Sequence, residues 1–204
     1  MNDASTYDSP LRRAQADQTR QRILETTLRL IVGGVEGVTM QLVAKEAGVA
    51  LRTVFRHFAT REDLLDAAWH ALNAQLGEMP ELAGIDEVSA FIPELFERYA
   101  AIEDQIRAVM LGSPMQASRR RHGSVRARKM RQAIEAAMAA GDGRSQRMAA
   151  SVAYVLTVPI ASILLKDNFG LSTDEASRAV AWAVRTLADA YAQNPSALLD
   201  KDPS

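Results

Sequence analysis

Apolar residues recur along most of this chain at intervals of three and four positions, the spacing that places them on one face of an α-helix. The first clear stripe ends just before the pair Gly33-Gly34 and consists of Ile23, Leu24, Thr27, Leu28 and Ile31. No run of alternating apolar and polar residues bounded by turn signals demands a β-strand. The pattern therefore predicts an all-α fold.

Capping and breaking signals divide the chain into about nine helices. Thr39 is placed to cap the second helix, and the pairs Thr60 with Asp63 and Ser172 with Glu175 have the spacing of capping boxes. Pro93 is expected to kink or split the helix that contains it. The predicted helices are one ending at 33–34, then 40–47, a two-turn helix after 50, one following 60, 86–102, a short piece reaching 111, 117–140, 145–169 and 173–193.

Composition favours a globular protein of the cytoplasm. The 204 residues are 48% hydrophobic, which is enough for a substantial core, and the absence of cysteine suits a reducing compartment. The first residues lack the basic-then-apolar order of a secretion signal. Residues 148–165 contain no charge, but their Ser, Thr, Tyr, Pro and Ala content favours a helix buried by protein on all sides over a membrane span.

The charge is divided unevenly along the chain. The formal net charge is only -1, yet residues 12–61 contain nine Lys or Arg against four Asp or Glu, while residues 62–204 carry an excess of acids. A basic N-terminal third joined to an acidic remainder indicates a polyanionic partner at one end of the protein.

The segment at 47–58, "AGVALRTVFRHF", has the organisation of a helix-turn-helix. Gly48 permits a sharp reversal between two short helices. If Val54 and Phe58 face the core, the neighbouring side chains project away from it, and such a helix fits the major groove of DNA. Those outward residues are Leu51, Arg52, Thr53, Phe55 and Arg56. The alternative is the solvated surface helix of an ordinary helical domain.

Residues 20–65 resemble the N-terminal domain of the TetR (tetracycline-repressor-like) family of transcriptional regulators. The resemblance rests on four motifs: "G-x-x-x-VT" from Gly34, "A-x-x-AGV" from Ala44, "T-V-F-R-H-F" from Thr53 and "T-R-E-D-L-L" from Thr60. It implies an N-terminal three-helix DNA-binding domain followed by a larger helical domain for ligand binding and dimerisation. The corresponding boundaries are an arm at 1–11, domains at 12–60 and 61–194, and a tail at 195–204.

The resemblance also implies roles for individual residues. Thr39 matches a phosphate contact beside Met40 and Gln41, which lie close to the DNA, and Arg61 takes the place of a lysine that holds the phosphate backbone. Leu51, Arg52, Thr53 and Arg56 match positions that face the groove. His57 matches a phosphate contact, with a packing role at the helix end as the alternative. Phe55 stands where tyrosine is common and lacks its hydroxyl, and Leu51 is apolar where polar residues are frequent, which suggests a thymine methyl contact or no base contact.

A two-turn recognition helix covers few base pairs, so a homodimer on a palindromic double-stranded DNA operator is expected. The predicted interface is the helix pair at about 145–169 and 173–193, where Ala179, Ala183, Leu187 and Ala190 form a small apolar stripe. The alternative is that this pair forms the core of a monomer.

The family resemblance further implies a cavity for a small-molecule effector whose binding releases the DNA. Its candidate lining residues are Phe96, Tyr99, Met110, Met115, Met130, Met138 and Tyr154, each of which is otherwise an ordinary core residue. The basic run from Arg119 to Arg131 is a solvated helix face, an anion-binding element or a further phosphate contact.

No catalytic motif or metal-ligand spacing occurs in the sequence, so no enzyme activity, cofactor or metal is expected. The three histidines, at positions 57, 70 and 122, belong to separate elements. Repression is the family's common mode. An activator, or a sensor of the same fold that does not bind DNA, is the alternative.

Overall fold

The computed structural model describes residues 10–34, 37–111, 115–140 and 143–199. Within these ranges the chain forms eleven helices and no strand, which confirms the all-α prediction. The helices are α1 (Pro10–Val32), α2 (Met40–Glu46), α3 (Leu51–His57), α4 (Arg61–Gln75), α5 (Ile85–Ala100), α6 (Glu103–Leu111), α7 (Gln116–His122), α8 (Val125–Ala137), α9 (Gly143–Leu156), α10 (Pro159–Phe169) and α11 (Thr173–Gln193).

Two helices that were predicted to be continuous are divided, so the expected count of about nine is wrong. The stretch at 117–140 breaks at Gly123, whose φ of 56° favours glycine, and Ser124 then caps α8 by accepting a hydrogen bond from the Ala127 amide at 2.9 Å. The stretch at 145–169 breaks before Pro159, which is the first residue of α10 and follows the extended residue Val158.

Pro93 was predicted to kink or split its helix, but α5 runs from Ile85 to Ala100 without interruption. A proline inside a helix costs about 3 kcal/mol, whereas a fully buried large apolar side chain contributes about 1.5–3 kcal/mol. Tertiary packing of the buried face therefore outweighs the local cost. That face consists of Val88, Phe91, Ile92, Leu95, Phe96 and Tyr99.

The N-terminal helices share one core, and the predicted caps hold their ends. Thr39 accepts a hydrogen bond from the Leu42 amide at 3.2 Å, and Thr60 and Asp63 form a reciprocal capping box at the start of α4. Gly48 adopts a φ of 64° at the turn between α2 and α3. Helix α4 packs against α1 and continues toward α7, so it joins this region to the rest of the chain.

In the larger C-terminal part, α11 packs along α5 and also contacts α9 and α10. Helix α6 packs against both α1 and α10. Arg107 on α6 donates to Asp167 on α10 at 2.6 Å, and Lys166 on α10 pairs with Glu103 on α6. Helices α4 and α6 of this part therefore both pack against α1.

Within the single chain, residues 148–165 are not buried on all sides. Met148, Val152 and Val155, spaced as one stripe of α9, are exposed, as is Leu164 on α10. No single helix among the described residues is long and apolar enough to span a membrane; α9 and α10 reach that length only together, and they are bent by 59°.

The predicted domain boundaries can be compared with the structure near both ends of the chain, and they differ at the N-terminal end. Pro10 and Leu11, assigned to the arm, lie in α1, whereas residues 1–9 lie outside the described residues. Residues 195–199 follow α11 in turns, and 200–204 lie outside the described residues.

Candidate nucleic-acid interface and ligand cavity

The orientation of α3 is set by two apolar anchors. Val54 has no exposed surface and Phe58 is 4% exposed, so both lie in the core as predicted. Arg52 and Arg56 are exposed on the other side of the helix, together with Phe55. The 3.6-residue period of the helix links the two observations, because burying 54 and 58 turns 52, 55 and 56 outward.

Three of the residues predicted to face a groove or the phosphates are less exposed. Leu51, Thr53 and His57 are half-buried, and Leu51 packs against the core. Their placement at the edge of the helix corrects the expectation that Leu51 and Thr53 project fully away from the core. The physical reason is that α3 has only two turns, so its flanks lie close to α1 and α2.

The start of α2 presents a second polar group beside α3. The Thr39 and Gln41 side chains are exposed, as a phosphate or base contact requires. Met40 is 6% exposed and belongs to the core, which corrects the prediction for its side chain. Only its backbone remains available to approach DNA from the N-terminus of the helix.

Arg61 connects the start of α4 to the segment that precedes Thr39. Its Nε donates a hydrogen bond to the Val38 carbonyl at 2.7 Å, and its Nη1 lies 3.8 Å from a Glu62 carboxylate oxygen. The half-buried Arg61 thus anchors the loop that positions Thr39, while part of its guanidinium faces solvent.

His57 lies in a cationic environment at the end of α3. Its Nε2 is buried and has no hydrogen-bond partner. Burial lowers the pKa of His57 below its usual value, and the positive charges of Arg56 and Arg20 lower it further, against a smaller opposing effect of Asp17. The imidazole is therefore neutral near pH 7.

Arg20 is a neighbour of this site that the sequence did not indicate. Its guanidinium carbon lies 5.1 Å from the centre of the Phe58 ring, and the Arg20 side chain is exposed. The contact joins α1 to the end of α3, so no local pattern in the sequence signals it. Arg20 and Arg56 therefore place two cations near the C-terminal end of α3, and Arg52 lies one helical turn before Arg56.

Comparison with known proteins is consistent with this geometry. Residues 23–68 match the sequence profile described as "Bacterial regulatory proteins, tetR family". The chain is 35% identical over 66 residues to the HTH-type transcriptional regulator AcrR of Shigella flexneri, covering 32% of this chain and 31% of AcrR. It is 42% identical over 53 residues to an HTH-type transcriptional regulator of Staphylococcus aureus strain USA300, covering 26% of this chain and 29% of that protein. Each match thus spans about three tenths of the relative's length.

Residues 23–68 of this chain are therefore similar to bacterial regulatory proteins of the tetR family. Solved structures support the same fold over most of its length. NalD, the secondary repressor of the MexAB-OprM multidrug efflux pump in Pseudomonas aeruginosa, superposes with a TM-score of 0.64 at 15% identity, covering 84% of this chain and 96% of NalD. A TetR-family transcriptional regulator from Streptomyces coelicolor gives a TM-score of 0.54 at 17% identity, covering 90% and 87% of the two chains.

The chain has a cavity in its helical C-terminal part. The cavity has a volume of about 470 Å³ and lies between α4, α5, α6, α7, α8 and the junction of α9 with α10. Four of the residues predicted from the sequence line it: Tyr99, Met110, Met130 and Tyr154.

The other three predicted lining residues do not reach this cavity. Phe96 and Met115 have no exposed surface and Met138 is 2% exposed, so they are packing residues of the core. Sequence reasoning missed several lining residues, including Trp69 on α4 and the arginines Arg119 and Arg126. Trp69 was missed because it fits the buried stripe of α4 and so reads as an ordinary core residue. The two arginines were missed because the basic run that contains them has no periodicity that distinguishes buried positions from exposed ones.

Proposed function

We propose that this chain is a TetR-family transcriptional repressor that binds a palindromic DNA operator as a homodimer and is released by a small-molecule effector. The observation that carries the proposal is the orientation of α3, with Val54 and Phe58 in the core and Arg52 and Arg56 exposed. A helix of this kind enters the major groove with its outer side chains against base edges.

Each exposed group has a chemistry suited to DNA. An arginine forms two parallel hydrogen bonds to the O6 and N7 atoms of guanine, which distinguishes this base from the others. Thr39, Gln41 and Arg61 supply hydrogen-bond donors for the phosphates on either side of the groove, and Arg20 adds a cation at the end of α3. Phe55 supplies an apolar contact at the same surface.

Dimerisation is supported by the distribution of exposed apolar side chains. Of the twelve large hydrophobic residues that are exposed in the described part of the chain, six lie on α9, α10 and α11. Trp182 on α11 is 70% exposed, beside the exposed or half-buried alanines Ala179, Ala183 and Ala190. A surface of this composition is typical of an interface between identical subunits, which would hold two copies of α3 in successive major grooves.

Release by an effector is supported by the position of the cavity. Its walls include α4 and α6, and both of these helices pack against α1 of the DNA-binding part. A molecule that changes the positions of α4 and α6 on binding changes the placement of α1 and with it the spacing of the two recognition helices. Repression itself is proposed by analogy with NalD, the secondary repressor of the MexAB-OprM pump.

The direct test measures binding of the full chain to an operator duplex by fluorescence anisotropy at several salt concentrations. Arg52→Ala and Arg56→Ala are each expected to lose about 1–3 kcal/mol of specific binding, which is roughly five- to more than a hundredfold in affinity. Arg128→Ala is the matched control, since Arg128 is an exposed arginine of α8.

The wild-type affinity is expected to fall steeply with salt, by about 0.9 log units per log unit of salt for each neutralised phosphate. Unchanged affinity in both α3 variants would contradict the assignment of these arginines to base recognition. Absence of any salt-dependent DNA binding would contradict the proposed function as a whole.

A further inference from the structure

The ligand cavity contains a buried cation whose charge is not neutralised. Arg126 on α8 is 8% exposed, and no carboxylate among the described residues forms a salt bridge with it. Its Nη2 donates to the main-chain carbonyls of Asn73 at 3.1 Å and Gly77 at 2.5 Å, at the end of α4. Its Nε is buried and has no hydrogen-bond partner.

The surroundings of Arg126 do not supply a negative charge. Burial lowers the pKa of Arg126, against an opposing effect of Tyr99, and the nearby cation Arg98 lowers it slightly further; an arginine nevertheless remains protonated in proteins. Burial raises the pKa of the adjacent Tyr99, which stays a neutral phenol and donates to the Thr157 carbonyl at 3.1 Å. Glu78 lines a neighbouring pocket with Arg126, and no salt bridge joins these two described residues.

The rest of the cavity reinforces this charge. Arg119 on α7 is half-buried in the same wall, where its Nη1 lies 2.9 Å from the Met110 sulfur, and it forms no salt bridge with a described residue. The lining includes two arginines and no acidic residue. Most of the other lining side chains are apolar or aromatic, among them Trp69, Leu95 and Met130.

A buried charge without a counterion costs several kcal/mol, and an anion that pairs with it recovers part of that cost. The planar guanidinium matches a carboxylate through two parallel hydrogen bonds. The volume of about 470 Å³ lies within the roughly 300–1,000 Å³ of small-molecule sites, and the mostly apolar walls suit a hydrophobic body.

We propose that the effector of this protein is a hydrophobic carboxylate, with its carboxylate on Arg126 and Arg119 and its apolar body against the walls formed by α4, α5 and α6. This inference rests on the proposed effector-controlled function and specifies the chemical class of the effector. Arg126 also ties the cavity to the DNA-binding part, since it holds carbonyls at the end of α4, and α4 begins at Arg61 beside α3. An anion that recruits Arg126 competes with those carbonyls.

The test compares matched probes of one size and three charges on the full chain by isothermal titration calorimetry: octanoate, octan-1-ol and octylammonium. Naphthalene-2-carboxylate and its alcohol form an aromatic pair that distinguishes a flat ring system from a flexible chain. A carboxylate is expected to bind at least about tenfold more tightly than its alcohol, since a hydrogen bond to a charged group contributes about 1.5–3 kcal/mol. Octylammonium is expected to bind most weakly.

In the Arg126→Gln protein the carboxylate is expected to bind no more than about threefold more tightly than the alcohol. Arg128→Gln is expected to leave the wild-type preference unchanged. Arg119→Gln is expected to reduce that preference, and it serves as the test variant if Arg126→Gln does not fold. Equal binding of the wild-type protein to octanoate and octan-1-ol, and to the naphthalene pair, would overturn the proposal without the need for a variant. Retention of the full preference in a folded Arg126→Gln protein would overturn it equally.

The operator assay separates this inference from the proposed function. If the wild-type protein binds carboxylates selectively but binds no operator, the effector class stands and the proposed function fails. If it binds an operator that the preferred carboxylate releases, both stand. If it binds an operator but shows no carboxylate preference, the effector class fails and the DNA-binding function stands.

Discussion

Replacement of Trp182 tests whether the exposed face of α11 holds two subunits together. The residue is 70% exposed in the single chain. A tryptophan side chain offers about 200 Å² of surface, so about 140 Å² is available for burial against a partner, and about 25 cal/mol per Å² gives about 3.5 kcal/mol per subunit. A symmetric dimer contains the contact twice, which sets an upper bound of about 7 kcal/mol.

Part of this upper bound is offset by the loss of side-chain and rigid-body freedom on association. If half is realised, Trp182→Ser weakens the dimer by about 3.5 kcal/mol, which is a few hundredfold in the dissociation constant. Because the side chain is exposed, the free energy of unfolding of the single chain is expected to change by no more than about 0.5 kcal/mol.

Sedimentation equilibrium over a range of concentrations measures this effect. The wild-type protein is expected at about twice the chain mass of 22.3 kDa at micromolar concentration, and the variant is expected to approach 22.3 kDa. Val125→Ser is the control, because Val125 is 62% exposed on α8, outside α9 to α11. A wild-type monomer, or a Trp182→Ser dimer of undiminished affinity, would refute the assignment of this face.

The remaining predictions concern α3. Val54→Ala is expected to cost about 2–3 kcal/mol in the free energy of unfolding, from the lost burial of two carbon atoms and the cavity that they leave, whereas Phe55→Ala at the exposed side costs no more than about 0.5 kcal/mol. Chemical denaturation measures both, and the reverse order would show that α3 is rotated. The lowered pKa of His57 means that the unfolded chain binds a proton more readily than the folded one between pH 6.5 and the folded-state value. The free energy of unfolding is therefore expected to fall as the pH drops through this window. In the His57→Gln protein this part of the fall is expected to be absent. A steeper fall in the variant than in the wild-type protein would contradict the burial of a neutral imidazole.

The sequence predicted the N-terminal helices and the ends of α4 and α11 because their signals are local. A capping box requires only two residues three positions apart, and Thr60 with Asp63 and Ser172 with Glu175 form such boxes in the structure. The break at Gly123 was local as well, since a glycine followed by the capping residue Ser124 separates α7 from α8, but the basic residues on both sides continue a helical composition.

The site depended more on tertiary structure. The exposure of Arg52 and Arg56 followed from the period of one helix, whereas the proximity of Arg20 to His57 depends on how α1 packs against α3. The burial of Arg126 depends on the end of α4, some fifty residues earlier in the chain, whose carbonyls hold its guanidinium. A charged residue in a basic run has no signal in its own neighbourhood that predicts such a contact.

Selection of bound sequences from a pool of random DNA duplexes by the full-length protein tests the central claim most directly, since it requires both the outward face of α3 and the pairing of two subunits. The account predicts an inverted repeat whose half-sites are centred about one helical turn apart, roughly 34–36 Å, with at least one guanine in each half-site that the Arg52→Ala or Arg56→Ala protein no longer prefers. Enrichment of no sequence, or of a single half-site whose preference is unaffected by both substitutions, would contradict it.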